Sequence, residues 1–282
     1  MVNSLVCNNK IKLNPQIIKQ DCLSNLNPWW VTGFSDAESS FSMFISRSKN
    51  TIIGWTITPT FNITLHIRDI ELLKSIQNFF NGVGKINIQN NKVNYRVRSK
   101  EELKIIINHF NKYPLLTSKF INFTLFVKIY KLIESKAHLN KKGFLEIASL
   151  VNKLNKPLST TILQDLFNLG KLKLSNISLE LPVLNKNPNL NPWWISGFIC
   201  GEGSFTYFTR TRKNSKGKIS KDYTLVKEVS QDNKDSFILT CIQEYFNVGK
   251  IYYEIRGIAK FRLVIKKDII EKWYLIFLNI LY

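Results

Sequence analysis

Two carboxylates, Glu38 and Glu202, stand 164 residues apart at matching places in a segment that the chain writes twice. The first copy runs Asn27-Pro28-Trp29-Trp30-Val31-Thr32-Gly33-Phe34-Ser35-Asp36-Ala37-Glu38-Ser39-Ser40-Phe41. The second runs Asn191-Pro192-Trp193-Trp194-Ile195-Ser196-Gly197-Phe198-Ile199-Cys200-Gly201-Glu202-Gly203-Ser204-Phe205. Asn is a good helix N-cap and Pro suits the first helical position, so each Asn-Pro predicts a helix, the first ending near Ala37. Gly33 with Ala37, and Gly197 with Gly201, set small residues four apart on one face, which lets two backbones approach closely. If the two helices pack by those faces, Glu38 and Glu202 meet at the end of the seam. Two anions a few ångströms apart repel, and a helix C-terminus already disfavours negative charge. The compensation such a pair demands is a cation, and a hard divalent ion with carboxylate, carbonyl and water ligands is the natural one. Metal at that point with phosphate on its far side is a site for phosphodiester hydrolysis.

Charge points to the same partner. Forty Lys and Arg against twenty Asp and Glu leave a formal charge of +20 over 282 residues. Such a surface predicts a polyanion, nucleic acid first and an anionic membrane second, with binding that weakens in salt. No run reaches the roughly eighteen apolar residues of a membrane span, and the richest, Phe120 to Ile133, is broken by Lys128 and Lys131. Cys7, Cys22, Cys200 and Cys241 are scattered and predict neither a zinc site nor a disulfide framework. Residues 1–26 lack Arg and a continuous apolar stretch. They resemble no secretory signal or import sequence, so a protein of an organelle is expected to be made inside it.

The elements that must hold the carboxylates follow from changes of period. From Ser40 to Ser48 the pattern alternates, with Phe41, Met43 and Ile45 on one face and Ser40, Ser42, Phe44, Ser46 and Ser48 on the other. A second strand is expected from Trp55 to Leu65, with Pro59 marking an edge or irregularity. A helix from Asp69 to Phe80, strands near 85–88 and 93–98, and helices from Lys100 to before Pro114, from Lys119 to Glu134 and from Lys142 to Leu154 complete the first half. The order restarts at Asn191 with strands 204–212 and 223–231 joined by a basic loop from Arg210 to Lys221, then a helix from Lys234 to Phe246 and two short strands. The expected organisation is an N-terminal arm over 1–26, a first repeat over 27–154, a linker over 155–190 with one helix at Ser159 to Leu166, and a second repeat over 191–282.

With the nonapeptides Val31 to Ser39 and Ile195 to Gly203 in register, the chain resembles the single-chain, two-repeat LAGLIDADG homing endonucleases across nearly all of Asn27 to Tyr282. The Tyr113-Pro114-Leu115-Leu116 segment belongs to the likeness. It implies an α+β fold of two pseudo-symmetric repeats, each a curved antiparallel sheet backed by helices, packed through the motif helices. In that family the last acid of each motif and the backbone carbonyl before it bind catalytic divalent metal, which here implies Glu38 with Ala37 and Glu202 with Gly201. Mg²⁺ is the expected ion, with Ca²⁺ or Mn²⁺ able to occupy the same sites. The concave sheet faces lie in the DNA major groove, implying Ser40, Ser42, Phe44, Ser46 and Ser48, and Ser204, Thr206, Phe208, Arg210 and Arg212, as DNA contacts. Gln231 resembles a residue that orders water at the site, although the first half has Leu65 there, and Lys119 matches the expected basic residue.

Ser39 replaces the usual Gly, which Gly203 keeps, and predicts a slightly displaced first site if the junction needs glycine's freedom. His66, His109 and His138 have no metal spacing and are expected to pack or face solvent, while Trp29, Trp30, Trp193 and Trp194 are expected to anchor the core and seam. Asp36 is matched by Cys200, so a cap or salt link is expected of it, not shared catalysis. The basic hairpin 210–221 is expected to touch phosphate. The resulting expectation is a monomer that cuts both strands of a long, asymmetric double-stranded DNA site, encoded in a mobile intron, mitochondrial or else chloroplast. The alternatives are an intron RNA maturase and a DNA-binding protein without cleavage.

Overall fold

A computed structural model describes residues 25–154, 157–170, 181–213 and 219–264. Most of the expected arm, and the end of the second repeat past Val264, lie outside these residues. The first motif forms helix α1, Pro28–Glu38, and is followed by strands β1, Ser39–Arg47, and β2, Trp55–His66. Helix α2, Ile70–Phe79, strands β3, Lys85–Gln89, and β4, Lys92–Val97, and helices α3, Lys100–Lys112, α4, Lys119–Glu134, and α5, Lys141–Val151, follow. Helix α6, Thr160–Gly170, lies within the stretch expected to be linker. The second motif forms α7, Pro192–Glu202, with β5, Gly203–Lys213, β6, Ile219–Asp232, α8, Ser236–Phe246, β7, Lys250–Glu254, and β8, Ile258–Leu263, behind it.

Each repeat carries a four-stranded antiparallel sheet, in the orders β1-β2-β4-β3 and β5-β6-β8-β7. The motif helices start as their sequence requires: the Asn27 and Asn191 side chains each accept a hydrogen bond from the backbone N–H two residues on, at 2.9 Å, with Pro at the first helical position. Alternation sorts β1 as expected, with Phe41, Met43 and Ile45 buried. The Phe41 ring meets Phe61 across the sheet and Phe110, Phe123 and Phe126 on α3 and α4. Pro59 opposes Met43, but the ladder from β2 to β4 begins only at Phe61. It therefore sits where β2 has one paired neighbour, the place a residue without an N–H can take.

Two expectations are corrected. The run 210–221 is not a loop throughout, because β5 continues to Lys213 and β6 starts at Ile219, with Arg210 opposite Asp222 and Arg212 opposite Ser220. A two-stranded ribbon outside the core needs no apolar alternation, so its charged sequence looks like a loop. Helix α6 also does more than link: Leu166 is fully buried in the first core, and Asp165 pairs with Arg47 of β1 at 2.8 Å.

Candidate active site at the helix seam

Helices α1 and α7 cross with their backbones in contact. A Cβ on Gly33 would lie 2.0 Å from the Trp194 carbonyl oxygen, and one on Gly197 would lie 2.1 Å from that of Trp30. No side chain fits at either place, so the glycines serve close approach. Further along, a Cβ on Gly201 would lie 2.4 Å from the Ala37 Cβ and 3.4 Å from the Glu38 Oε1. The seam is thus tight down to the residues beside the two acids. Trp194 is fully buried, stacks on Phe198, and donates its Nε1–H across the seam to Asp36 Oδ2 at 2.9 Å; Trp30 stacks on Phe34. These contacts match the anchoring expected of Trp30 and Trp194, and Trp29 meets Tyr113 edge-on.

Glu38 and Glu202, the last residues of α1 and α7, are both half-buried. Burial pushes the Glu38 carboxyl above its ordinary range, opposed by the Lys119 charge and assisted by Asp69. Burial also raises Glu202, opposed by a hydrogen bond from Gln231 and by Lys119, with repulsion from Glu38 added. The Lys119 ammonium enters the seam and donates to the carbonyl oxygens of Ser35, at 3.1 Å, and Ala37, at 2.7 Å. Burial lowers its pKa to about 8 against the attraction of Asp36, Glu202, Glu38 and Asp235. Two acids, one amide and one ammonium therefore converge where the motif helices end. Leu65 holds the strand position that matches Gln231, two residues beyond the pairings Ser39 with Ile63 and Gly203 with Val229.

The junctions after the acids differ from expectation. Ser39 has φ −87° and Gly203 φ −89°, both extended, so neither uses glycine's freedom. Ser39 turns its hydroxyl back to the Ser35 carbonyl at 2.7 Å and fits without backbone strain. Gly203 is needed for space: a Cβ there would lie 2.4 Å from the Ile199 carbonyl and 2.7 Å from the Lys227 ammonium. Phe61 takes the matching strand position in the first repeat, where it pairs with Phe41 as Lys227 pairs with Phe205.

The sheet faces opposite the helices hold the expected contact residues. Ser40 and Ser42 are half-buried, Phe44 and Ser46 exposed, and Ser48 lies just past the end of β1. Ser204, Thr206 and Phe208 are exposed on β5; Arg210 and Arg212 follow on the strand, and their side chains lie outside the described residues. The register extends the first face to residues not singled out from the sequence, placing Asn62, Thr64, Asn94, Arg96 and Asn87 beside the serines. Here Asn62 donates to Thr64, Thr64 donates to Asn94, and Arg96 donates to Asn62, over 2.7–3.4 Å. The second face is ionic, with Glu228 accepting from Arg262 at 2.6 Å and paired with Lys260, which also reaches Glu254. The signal that would have found them is the alternation already applied to β1.

Asp36 is buried, and its four acceptor contacts are the indole of Trp194, the backbone N–H groups of Leu116 and Thr117, and the Thr117 hydroxyl. Desolvation raises its pKa, opposed by those hydrogen bonds. It caps a turn, one of the two roles expected of it. His109 is buried among Phe79, Phe80, Phe110 and Tyr113. The Thr32 hydroxyl gives its one proton to the Tyr113 carbonyl, so His109 Nε2, at 3.1 Å, is the donor to Thr32. His66 accepts from the Arg68 N–H.

A model of the LAGLIDADG endonuclease family matches residues 31–130 and 195–281. "Probable intron-encoded endonuclease 3" of Neurospora crassa is 34% identical over 230 residues, covering 80% of this chain and 41% of its own length. This chain thus spans less than half of that relative. Among solved structures, the LAGLIDADG homing endonuclease I-GzeII in complex with its DNA target is 35% identical, with a TM-score of 0.77 over 90% of this chain and 84% of that one. I-SmaMI bound to uncleaved DNA in the presence of calcium ions is 32% identical, with a TM-score of 0.81 over 90% and 85%. The two matched segments each begin inside one motif helix and run through its sheet, so the likeness covers both sides of the seam: the chain belongs to the LAGLIDADG endonuclease family.

Proposed function

We propose that the chain is a site-specific double-strand DNA endonuclease that hydrolyses one phosphodiester in each strand of a long asymmetric site and serves the homing of a mitochondrial intron. The observation that carries this reading is the convergence of Glu38 and Glu202 at one end of a backbone-tight seam, with Lys119 beside them. A duplicated site with a pseudo-twofold axis suits a duplex whose two strands are related in the same way.

The residues fit a divalent cation. Burial and the repulsion of Glu202 by Glu38 make the paired carboxylates costly as bare anions, and a cation between them offsets that charge. The donors are all hard oxygens: the two carboxylates with the carbonyls of Ala37 and Gly201. The Ala37 carbonyl gives one lone pair to Lys119 and keeps another. Among the described residues no third acid, His or Cys completes a metal cluster. So sparse a protein set suits Mg²⁺, which keeps waters and takes phosphate oxygens as ligands. When bound, the ion supplies Lewis acidity to the scissile phosphate and offsets the charge that builds on it.

The chain's own groups do the rest. Gln231 donates to Glu202 and fixes that carboxylate's orientation. Lys119 brings positive charge to the place where negative charge develops, held there by two carbonyls. The hydroxyl and amide face of the first sheet and the ionic face of the second present different donors and acceptors to base edges, which makes the favoured site asymmetric. The test is incubation with Mg²⁺ and a DNA library carrying random and intron-insertion sequences. Double-strand cuts at a defined site are expected; no cut in any sequence, together with tight binding of intron RNA, would overturn the reading.

A further inference from the structure

Two helix-capping residues do not cap their own helices. Ser118 is the N-cap of α4 and Asp235 the N-cap of α8, and neither side chain bonds its own first turn. They bond each other across the repeats. Asp235 Oδ1 accepts from the Ser118 N–H and Oδ2 from the Ser118 hydroxyl, both at 2.7 Å, and Asp235 is 4% exposed. The next residue is Lys119. On the other side of the same turn Asp36 holds the N–H groups of Leu116 and Thr117 and the Thr117 hydroxyl. Consecutive residues are thus gripped by carboxylates from both halves just before the chain delivers an ammonium into the seam.

Asp235 has a counterpart in the first repeat. Asp69 occupies the matching place before α2, also without bonding its own helix, yet its side chain is 44% exposed and pairs with Arg68. A buried carboxylate at the α4 N-terminus is stabilised by that helix's dipole, so the clamp is both directional and strong.

We propose that Asp235 of the second repeat is a positioning residue for Lys119 of the first: with Asp36 it clamps the Thr117–Ser118 turn and fixes where the ammonium meets the active site. The inference rests on the endonuclease reading only for its effect on cleavage; its effect on Lys119 does not. Since Lys119 is held by carbonyls of α1, it lies to one side of the pseudo-twofold axis and serves one strand more than the other.

The experiment compares wild type, Asp235→Ala and Asp235→Asn in single-turnover cleavage resolved by strand, DNA binding, and acylation of Lys119 followed by mass spectrometry. Asp235→Ala should slow one strand by about tenfold or more relative to the other, so that nicked DNA accumulates at unchanged DNA affinity. It should also speed Lys119 acylation. Asn keeps an oxygen for the Ser118 N–H and an amide for its hydroxyl, and should restore both readouts. Equal slowing of both strands, or Lys119 acylation unchanged in Asp235→Ala, overturns the assignment. If the wild type cuts no DNA, the endonuclease reading fails and the acylation comparison still decides the role of Asp235.

Discussion

At the scale of single residues, several side chains are fixed by what burial does to charge. His109 is the plainest. Desolvation lowers its pKa from the ordinary 6.5 to about 4. The folded state therefore binds fewer protons than the unfolded chain between those values, and the stability present above the unfolded pKa is lost as pH falls through that window. Two and a half units bound the effect at about 3 kcal/mol, and about 2 kcal/mol should be lost between about pH 7.5 and pH 5. Urea titrations at the two pH values measure it, and His109→Gln, which keeps a donor for Thr32, should show a smaller loss. Equal pH dependence in both proteins would show that other groups control acid stability. Asp36 was legible as a cap or salt link, not a shared catalytic acid, because Cys200 replaces it in the second motif. Asp235 was not: its partner is 117 residues away, and an acid before a helix reads locally as that helix's own cap.

At the scale of elements, the motif helices and sheets were legible because each has a strong period and a copy to check it against. Asn-Pro set both helix starts, and alternation set the buried face of β1 correctly down to Phe41, Met43 and Ile45. What escaped was long-range or outside the core. The sequence of the strand ends, 210–213 and 219–221, has no apolar alternation, and the role of Gly203 depends on the Ile199 carbonyl and the Lys227 ammonium beside it, which no local pattern encodes. The seam itself gives a sharp prediction. Gly33→Ala puts a methyl 2.0 Å from a backbone oxygen, which a rotamer change cannot relieve. It should cost about 3 kcal/mol in denaturant unfolding and slow cleavage by moving the acids apart. Gly203→Ser, despite its precedent at Ser39, should also destabilise, because the Ile199 carbonyl and Lys227 ammonium fill the space. Neutral behaviour of Gly33→Ala would mean that the helices sit further apart, and neutral behaviour of Gly203→Ser that the Ile199 carbonyl and Lys227 ammonium leave room for a side chain.

At the scale of the whole molecule, a charge of +20 sets how the protein meets its partner. Binding to a long duplex should weaken by about a thousandfold or more between about 50 mM and 200 mM salt, read as the slope of log affinity against log salt. A flat dependence would exclude extensive phosphate contact. The central claim is that two carboxylates, one from each repeat, act together at the seam. Its most direct test is cleavage of the identified site by Glu38→Gln and Glu202→Gln, which remove one charge each at nearly constant shape. Both variants should bind the site with affinity within a few fold of wild type and fail to make double-strand cuts. Full double-strand cleavage by either one would contradict the account.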